Sequence, residues 1–363
     1  MAATAPAAAA AECELHNMTM RVTWIALALS FTLAAQNAPK FEVDPSWPKA
    51  LPAGWINGQL GGVCVDSHDH VVVVDRRNIT KEVKETSQAA PSIIMFDAAG
   101  AMVRAWGDPN VVPDSIHGCA FDGDNNVWVG GNHDGILQKY SHDGKLLQQI
   151  GTRGQFDSSD GTGKGKPLNA AHDKLYNPAG LAIDPGNGDL YVADGYGNRR
   201  IVVFDKNGKY LRQWGRQATK EETDAGAGGA FTELVHCVAM SKAGLIYVCD
   251  RQGDRIQVFD KMGKFQRNIW MRDGTPTLPD PRGTVWWLEF SRDQKYLYVM
   301  NGRSEKVHAI DPESGKILSS FGRPGHQIGN FTHGHTMAVD SKGNLYVAET
   351  DFGRRVQRFK PVN

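Results

Sequence analysis

The chain has 363 residues, long enough for two ordinary domains or for one large all-β domain. Hydrophobic residues make up 41% and charged residues 22%, the balance of a globular protein, and 40 glycines suit a fold with many turns. Lys plus Arg equals Asp plus Glu at 40 each, so no net field draws nucleic acid or an anionic membrane, and a small-molecule or peptide substrate is expected instead.

Residues 1–17 are an Ala-rich leader, after which Met18, Met20 and Arg21 precede the apolar run VTWIALALSFTLAA. A charged start, an apolar stretch too short to span a bilayer comfortably and small residues at Thr32, Ala34, Ala35 and Ala38 fit a secretory signal beginning at Met18 or Met20; the competing reading is a buried helix. The expectation is a secreted or periplasmic protein with no stable membrane span after signal removal, residues 1–38 being leader and signal and 39–363 one domain. Of five cysteines, Cys13 leaves with the signal, and Cys64, Cys119, Cys237 and Cys249 remain. Cys237 and Cys249 face each other across a hairpin, as a disulfide or as two buried thiols. No C-x-x-C occurs, which argues against cysteine-based zinc or thioredoxin chemistry.

From residue 57 onward the chain repeats itself with a period of about 50 residues, the mark of a propeller or solenoid. Six copies open with GGVCVDSHDHVVVVDRR, IHGCAFDGDNNVWVGGNHDG, AGLAIDPGNGDLYVADGYGN, HCVAMSKAGLIYVCDRQGD, WWLEFSRDQKYLYVMNGRS and HTMAVDSKGNLYVAETDFG. In each, a short apolar strand ends at an anchor, namely Asp66, Asp122, Asp184, Ser241, Ser291 or Asp340, and a polar turn leads to a second strand. Third and fourth strands follow, as in RIVVFDKNGKYLRQWG and RIQVFDKMGKFQRNIW. The sixth copy stops after RVQRFK, and FEVDPSW at 41–47 is placed to supply its missing strand. The expected fold is an all-β, six-bladed β-propeller of four-stranded blades, closed by an N-terminal strand. Phrases such as LYVADGYGNRRIVVFD resemble the NHL-repeat family across nearly all of 57–360, a likeness that specifies fold rather than chemistry.

Five residues before the anchors stand Gly61, His117, Ala179, His236, Trp286 and His335. Histidine therefore occupies blades 2, 4 and 6, about 120° apart around a six-bladed ring, so three imidazoles can converge on the axis and form an open zinc site. His68, His70, His142 and His172 lack this register and are expected as solvated or turn residues. The ends of the second strands share the histidine face and bring Arg76, Asn132-His133, Asp194-Gly195-Tyr196, Asp250-Arg251, Arg303 and Asp351. Segments 152–176 and 216–230 emerge there too, as a rim or as plain surface loops.

In these residues the chain resembles peptidyl-α-hydroxyglycine α-amidating lyase, a zinc propeller that cleaves a C-terminal α-hydroxyglycine to a peptide amide and glyoxylate. The likeness runs from GQLGGVCVD to the end. It implies His117, His236 and His335 as zinc ligands, Tyr196 as a general base held as phenolate, and Arg76 and Arg251 as grips on the substrate carboxylate. It also implies a calcium held by the carbonyls of Val63 and Cys119. The pattern departs at Thr336, where the family's calcium-binding aspartate follows the last histidine. It departs again at His333, in place of a methionine, which could add a fourth ligand, and at Gly197, in place of a cysteine. A divergent stand-alone member is implied, lacking a copper monooxygenase module and drawing its hydroxylated substrate from a separate hydroxylating enzyme. A zinc hydrolase on the same site and a non-enzymatic NHL-type binding propeller remain the alternatives.

Overall fold

Each repeat turns on its anchor. In the computed structural model, which describes residues 38–272 and 283–362, Asp66 Oδ1 accepts the backbone N–H groups of His68 and His70, both at 2.8 Å. Asp122 does the same for Asp124 and Asn126 at 3.0 and 2.9 Å, and Asp340 for Lys342 and Asn344 at 2.9 Å. A short acceptor beside its own backbone satisfies the turn's free N–H groups, which is why Asp recurs there. Ser241 and Ser291 serve through Oγ, accepting Leu245 N–H and Tyr296 N–H at 3.0 Å.

The strands so linked form six four-stranded sheets. Their innermost strands are Leu60–Val65, Ile116–Phe121, Leu181–Ile183, Val235–Met240, Val285–Phe290 and Gly334–Val339. This is the six-bladed all-β propeller the repeats predict. The second strands of blades 2 to 6 carry an aromatic at one position, Trp128, Tyr191, Tyr247, Tyr298 and Tyr346, each buried. Tyr191 packs with Ile246 and Val248 of the following blade, and Tyr247 with Leu297 and Val299, so a strand too short to stand alone buries its face between sheets. Polar tips are satisfied: Arg212 donates to Tyr191 Oη at 2.7 Å and Arg267 to Tyr247 Oη at 3.0 Å.

The ring closes through Lys40–Asp44, antiparallel to Val356–Val362, with Phe41 opposite Pro361 and Val43 opposite Phe359. Asp44 Oδ2 accepts from Arg358 Nε at 3.1 Å and pairs with Lys360 at 2.7 Å. The segment 216–230 is partly ordered by the helix Lys220–Ala225, whose N-cap Thr219 and Glu222 make a capping box. The signal-like run lies outside the described residues.

Both hairpin cysteines are bonded: Cys237 and Cys249 form a disulfide within blade 4. A second disulfide, unexpected from the sequence, joins Cys64 to Cys119 across the innermost strands of blades 1 and 2, with Cα atoms 5.8 Å apart. Each lies within two residues of a register histidine, Cys119 after His117 and Cys237 after His236.

Candidate metal centre

The three register histidines are brought together by a feature hidden in the spacing. At this level the first strands slip register against the second: between His117 and Cys119, between Val235 and Val238, and between Gly334 and Thr336. A bulge re-aims the side chain it carries. In blade 2 it needs Gly118, whose φ is +68° and whose added Cβ would lie 2.5 Å from the Ala179 carbonyl oxygen.

The imidazole centroids stand 4.6 Å apart for His117 and His335, 5.0 Å for His117 and His236, and 5.2 Å for His236 and His335. One ring nitrogen from each lies within 4.8 Å of the others, and all three residues are buried. His117 Nδ1 donates to the Ala179 carbonyl at 3.1 Å and His236 Nδ1 to the Trp286 carbonyl at 2.5 Å. A carbonyl can only accept, so Nδ1 carries the proton and Nε2 presents its lone pair. Ala179 and Trp286 are the register residues of blades 3 and 5; the blades without histidine orient the histidines. For His335 the neighbouring carbonyl is that of Leu60 in blade 1, without a well-aligned hydrogen bond.

Tyr196 Oη lies 3.2 Å from His117 Nε2 and 3.1 Å from His236 Nε2. Its approach depends on Gly195, where a Cβ would fall 1.9 Å from the Val235 carbonyl oxygen. One phenolic proton cannot serve two acceptors, so the cluster is short of positive character at its centre. Burial first, then the neighbouring imidazoles and Arg76, holds His117 well below the ordinary imidazole range. Burial and the Arg251 charge push His236 down to about 3, and burial, His236 and both arginines depress His335. Three neutral imidazoles facing one point fit a zinc-like divalent ion with further positions open.

Arg76 and Arg251 flank this point. Arg76 Nη1 donates to Gln59 Oε1 at 3.2 Å and to Thr350 Oγ1 at 3.5 Å, and a cavity of about 260 Å³ lined by Arg76, Gln59, Asn132 and His133 opens beside it. The Arg251 guanidinium lies 4.0 Å over the Trp286 ring. It is not the partner of Asp250, whose carboxylate is taken by Arg255 at 2.7 Å, Gln257 at 3.1 Å and the Thr232 N–H at 2.9 Å. Trp286 thus serves twice, through its carbonyl and its ring. Its place in the histidine register was the signal for the first role; nothing in the sequence marked the second.

One expected ligand stands elsewhere. His333 is outside the three-histidine group. Its φ of 56° breaks the strand alternation that would have aimed it with His335, and its ring meets Asp351 at 3.5 Å and Phe352 at 5.7 Å on the rim. Val63 and Cys119 line the axial channel, but Thr336 brings no charge, and its Oγ1 is buried without a hydrogen bond. Glu289, half-buried on the same channel, is pushed up to about 8 by burial. With threonine at 336 the channel has one charged ligand fewer than a calcium ion prefers.

Fold and site together define a propeller of NHL type with a triple-histidine centre at one mouth. The NHL repeat profile matches residues 175–204, and the chain is similar to NHL repeat-containing proteins and to amidating lyases. It is 28% identical to human NHL repeat-containing protein 3 over 96% of this chain and 89% of that one. It is 24% identical to a probable peptidyl-alpha-hydroxyglycine alpha-amidating lyase of Caenorhabditis elegans over 88% of both. Among solved structures, a virginiamycin B lyase from Staphylococcus aureus shares the fold at 15% identity and a TM-score of 0.53, covering 88% of this chain and 89% of that one.

Proposed function

We propose that this chain is a zinc-dependent carbon–nitrogen lyase that cleaves a peptidyl-α-hydroxyglycine, or a similar carbinolamide, to an amide and glyoxylate. The observation that carries the proposal is the Tyr196 oxygen held between two imidazole Nε2 atoms, with Arg76 and Arg251 at the same point. The worm relative, named as a lyase of this class, supports it. Zinc on the three imidazoles would supply Lewis acidity, lowering the pKa of a substrate hydroxyl by several units. Arg76 and Arg251 hold the carboxylate, and the Trp286 ring fixes the plane of the second guanidinium. Tyr196 Oη, in the phenolate form, takes the hydroxyl proton and returns it to the leaving nitrogen. As the C=O bond forms, the C–N bond breaks and its electron pair leaves with nitrogen, which is reprotonated to give the amide; the aldehyde product is glyoxylate. The glycine α-carbon must already carry its hydroxyl, so an oxidative reaction elsewhere supplies the substrate. Two disulfides fit an exported protein, and among the described residues no helix is long and apolar enough to cross a membrane.

The test is a peptide ending in α-hydroxyglycine, with glyoxylate release and zinc content measured together. Wild type is expected to bind zinc and turn over; His236→Ala to lose one zinc equivalent and activity; Tyr196→Phe to keep zinc while kcat falls roughly 10²–10⁴-fold. Zinc without glyoxylate would point to a hydrolase. No zinc at this site would leave a binding propeller and overturn the proposal.

A further inference from the structure

A second group of metal-ligand type lies at the other end of the first strands, roughly 16 Å from the histidine level. We propose that Asp66, His70 and His142 form a second, separate site for a divalent transition metal. Asp66 is 2% exposed, and its Oδ2 stands 2.8 Å from His70 Nδ1 and 3.1 Å from His142 Nε2. The three ligand atoms all lie within 4.8 Å of one another, and His68 Nδ1 is 3.9 Å from the same oxygen. A zinc-type ion about 2.0–2.2 Å from tetrahedral donors sets them roughly 3.4 Å apart, a few tenths of an ångström wider than these contacts.

The joint between blades 3 and 4 is built differently. His142 sits on the turn between the third and fourth strands of blade 2, where blade 4 has Lys261, and Lys261 pairs with Asp184 of blade 3. Between blades 3 and 4 the tie is therefore one lysine on one aspartate. Between blades 1 and 2 the lysine is replaced by two imidazoles, which can offer lone pairs where an ammonium cannot.

The joint between these blades is also fixed. The Cys64–Cys119 disulfide lies two residues before Asp66, and Asn125 of blade 2 accepts from Ser67 N–H at 3.0 Å and donates to Ser67 Oγ at 2.9 Å. Asp66 Oδ1 is held by the His68 and His70 N–H groups, which leaves Oδ2 aimed at the imidazoles. Ligands from two blades thus stand together and need open by only a few tenths of an ångström, the condition for useful affinity. Side-chain exposures of 28% for His70 and 36% for His142 give an entry path and open coordination positions. Two imidazoles and one carboxylate suit zinc, nickel, copper or ferrous iron rather than calcium or magnesium.

The inference is independent of the proposed lyase reaction. Full-length protein is dialysed to equilibrium against micromolar Zn²⁺ and its bound zinc counted, for wild type, His142→Gln, His70→Gln and the control His172→Gln. His172 is exposed and stacked on Tyr210, away from the cluster. Glutamine keeps a donor for Asp66, so folding is retained. The expected result is one zinc fewer in His142→Gln and His70→Gln than in wild type and His172→Gln. The same difference should persist in a His236→Ala background, with glyoxylate turnover unchanged by His142→Gln. Equal zinc in His142→Gln and wild type, in both backgrounds, would overturn the proposal.

Discussion

At the scale of single residues, the histidines were legible because a repeat supplies its own ruler: five positions before each anchor, His117, His236 and His335 stand out against Gly61, Ala179 and Trp286. Their aim was not legible, because it depends on strand bulges that spacing does not reveal. Arg251 shows the same division. The sequence offered Asp250 as its neighbour, whereas packing gives Asp250 to Arg255 and lays Arg251 on Trp286. If Arg251 grips a carboxylate with a planar fork, lysine cannot replace it. Arg251→Lys is expected to raise KM for an α-hydroxyglycine peptide roughly 10- to 100-fold with zinc content unchanged. An unchanged KM in steady-state kinetics would remove Arg251 from substrate binding.

At the scale of the strand, the second strands of blades 1, 3, 4 and 6 end in acids, which in blades 3, 4 and 6 tie an arginine and the incoming loop. Asp194 pairs with Arg200 at 2.9 Å, Asp250 with Arg255 at 2.7 Å and Glu349 with Arg355 at 2.7 Å. Among these four, blade 1 lacks the arginine: Ser92 stands in its place, and Asp75 accepts only N–H groups from Gly58 and Arg77 among the contacts described. Burial pushes Asp75 up to about 7. Between about pH 4 and pH 7 the folded protein therefore holds a proton that the unfolded chain has released, so Asp75 makes stability fall as pH rises through that window. Asp75→Asn, which cannot ionise, is expected to be more stable than wild type at pH 8, by an amount on the order of 1–3 kcal/mol, and to show no such gain below pH 4. Melting curves that stay parallel across this range would show that Asp75 is already ionised in the folded state. Reading Asp75-Arg76-Arg77 as sequence could not give this result, because the missing partner lies 17 residues further on, on the third strand.

At the scale of the whole ring, closure joins the two ends of the described chain. Asp44 and Arg358 are both mostly buried where Lys40–Asp44 meets the last strand. Asp44→Ala would leave Arg358 buried without its counter-charge, at a cost of roughly 3 kcal/mol in urea unfolding; a loss within about 0.5 kcal/mol would show that strand pairing alone holds the seam. The repeat period, the alternation of apolar positions and the anchor turns are local properties, so the sequence by itself determined six blades, their strand order, the closing strand and the alternation of histidine around the ring. Contacts between blades are not local. Only the tertiary structure decided that His236 takes its orientation from the Trp286 carbonyl, that Tyr196 comes within hydrogen-bond reach of two imidazoles, that His333 turns to the rim, and that Cys64 bonds Cys119. The same holds for His70 and His142, 72 residues apart: as sequence they were turn residues, and two neighbouring blades set both against one buried carboxylate oxygen.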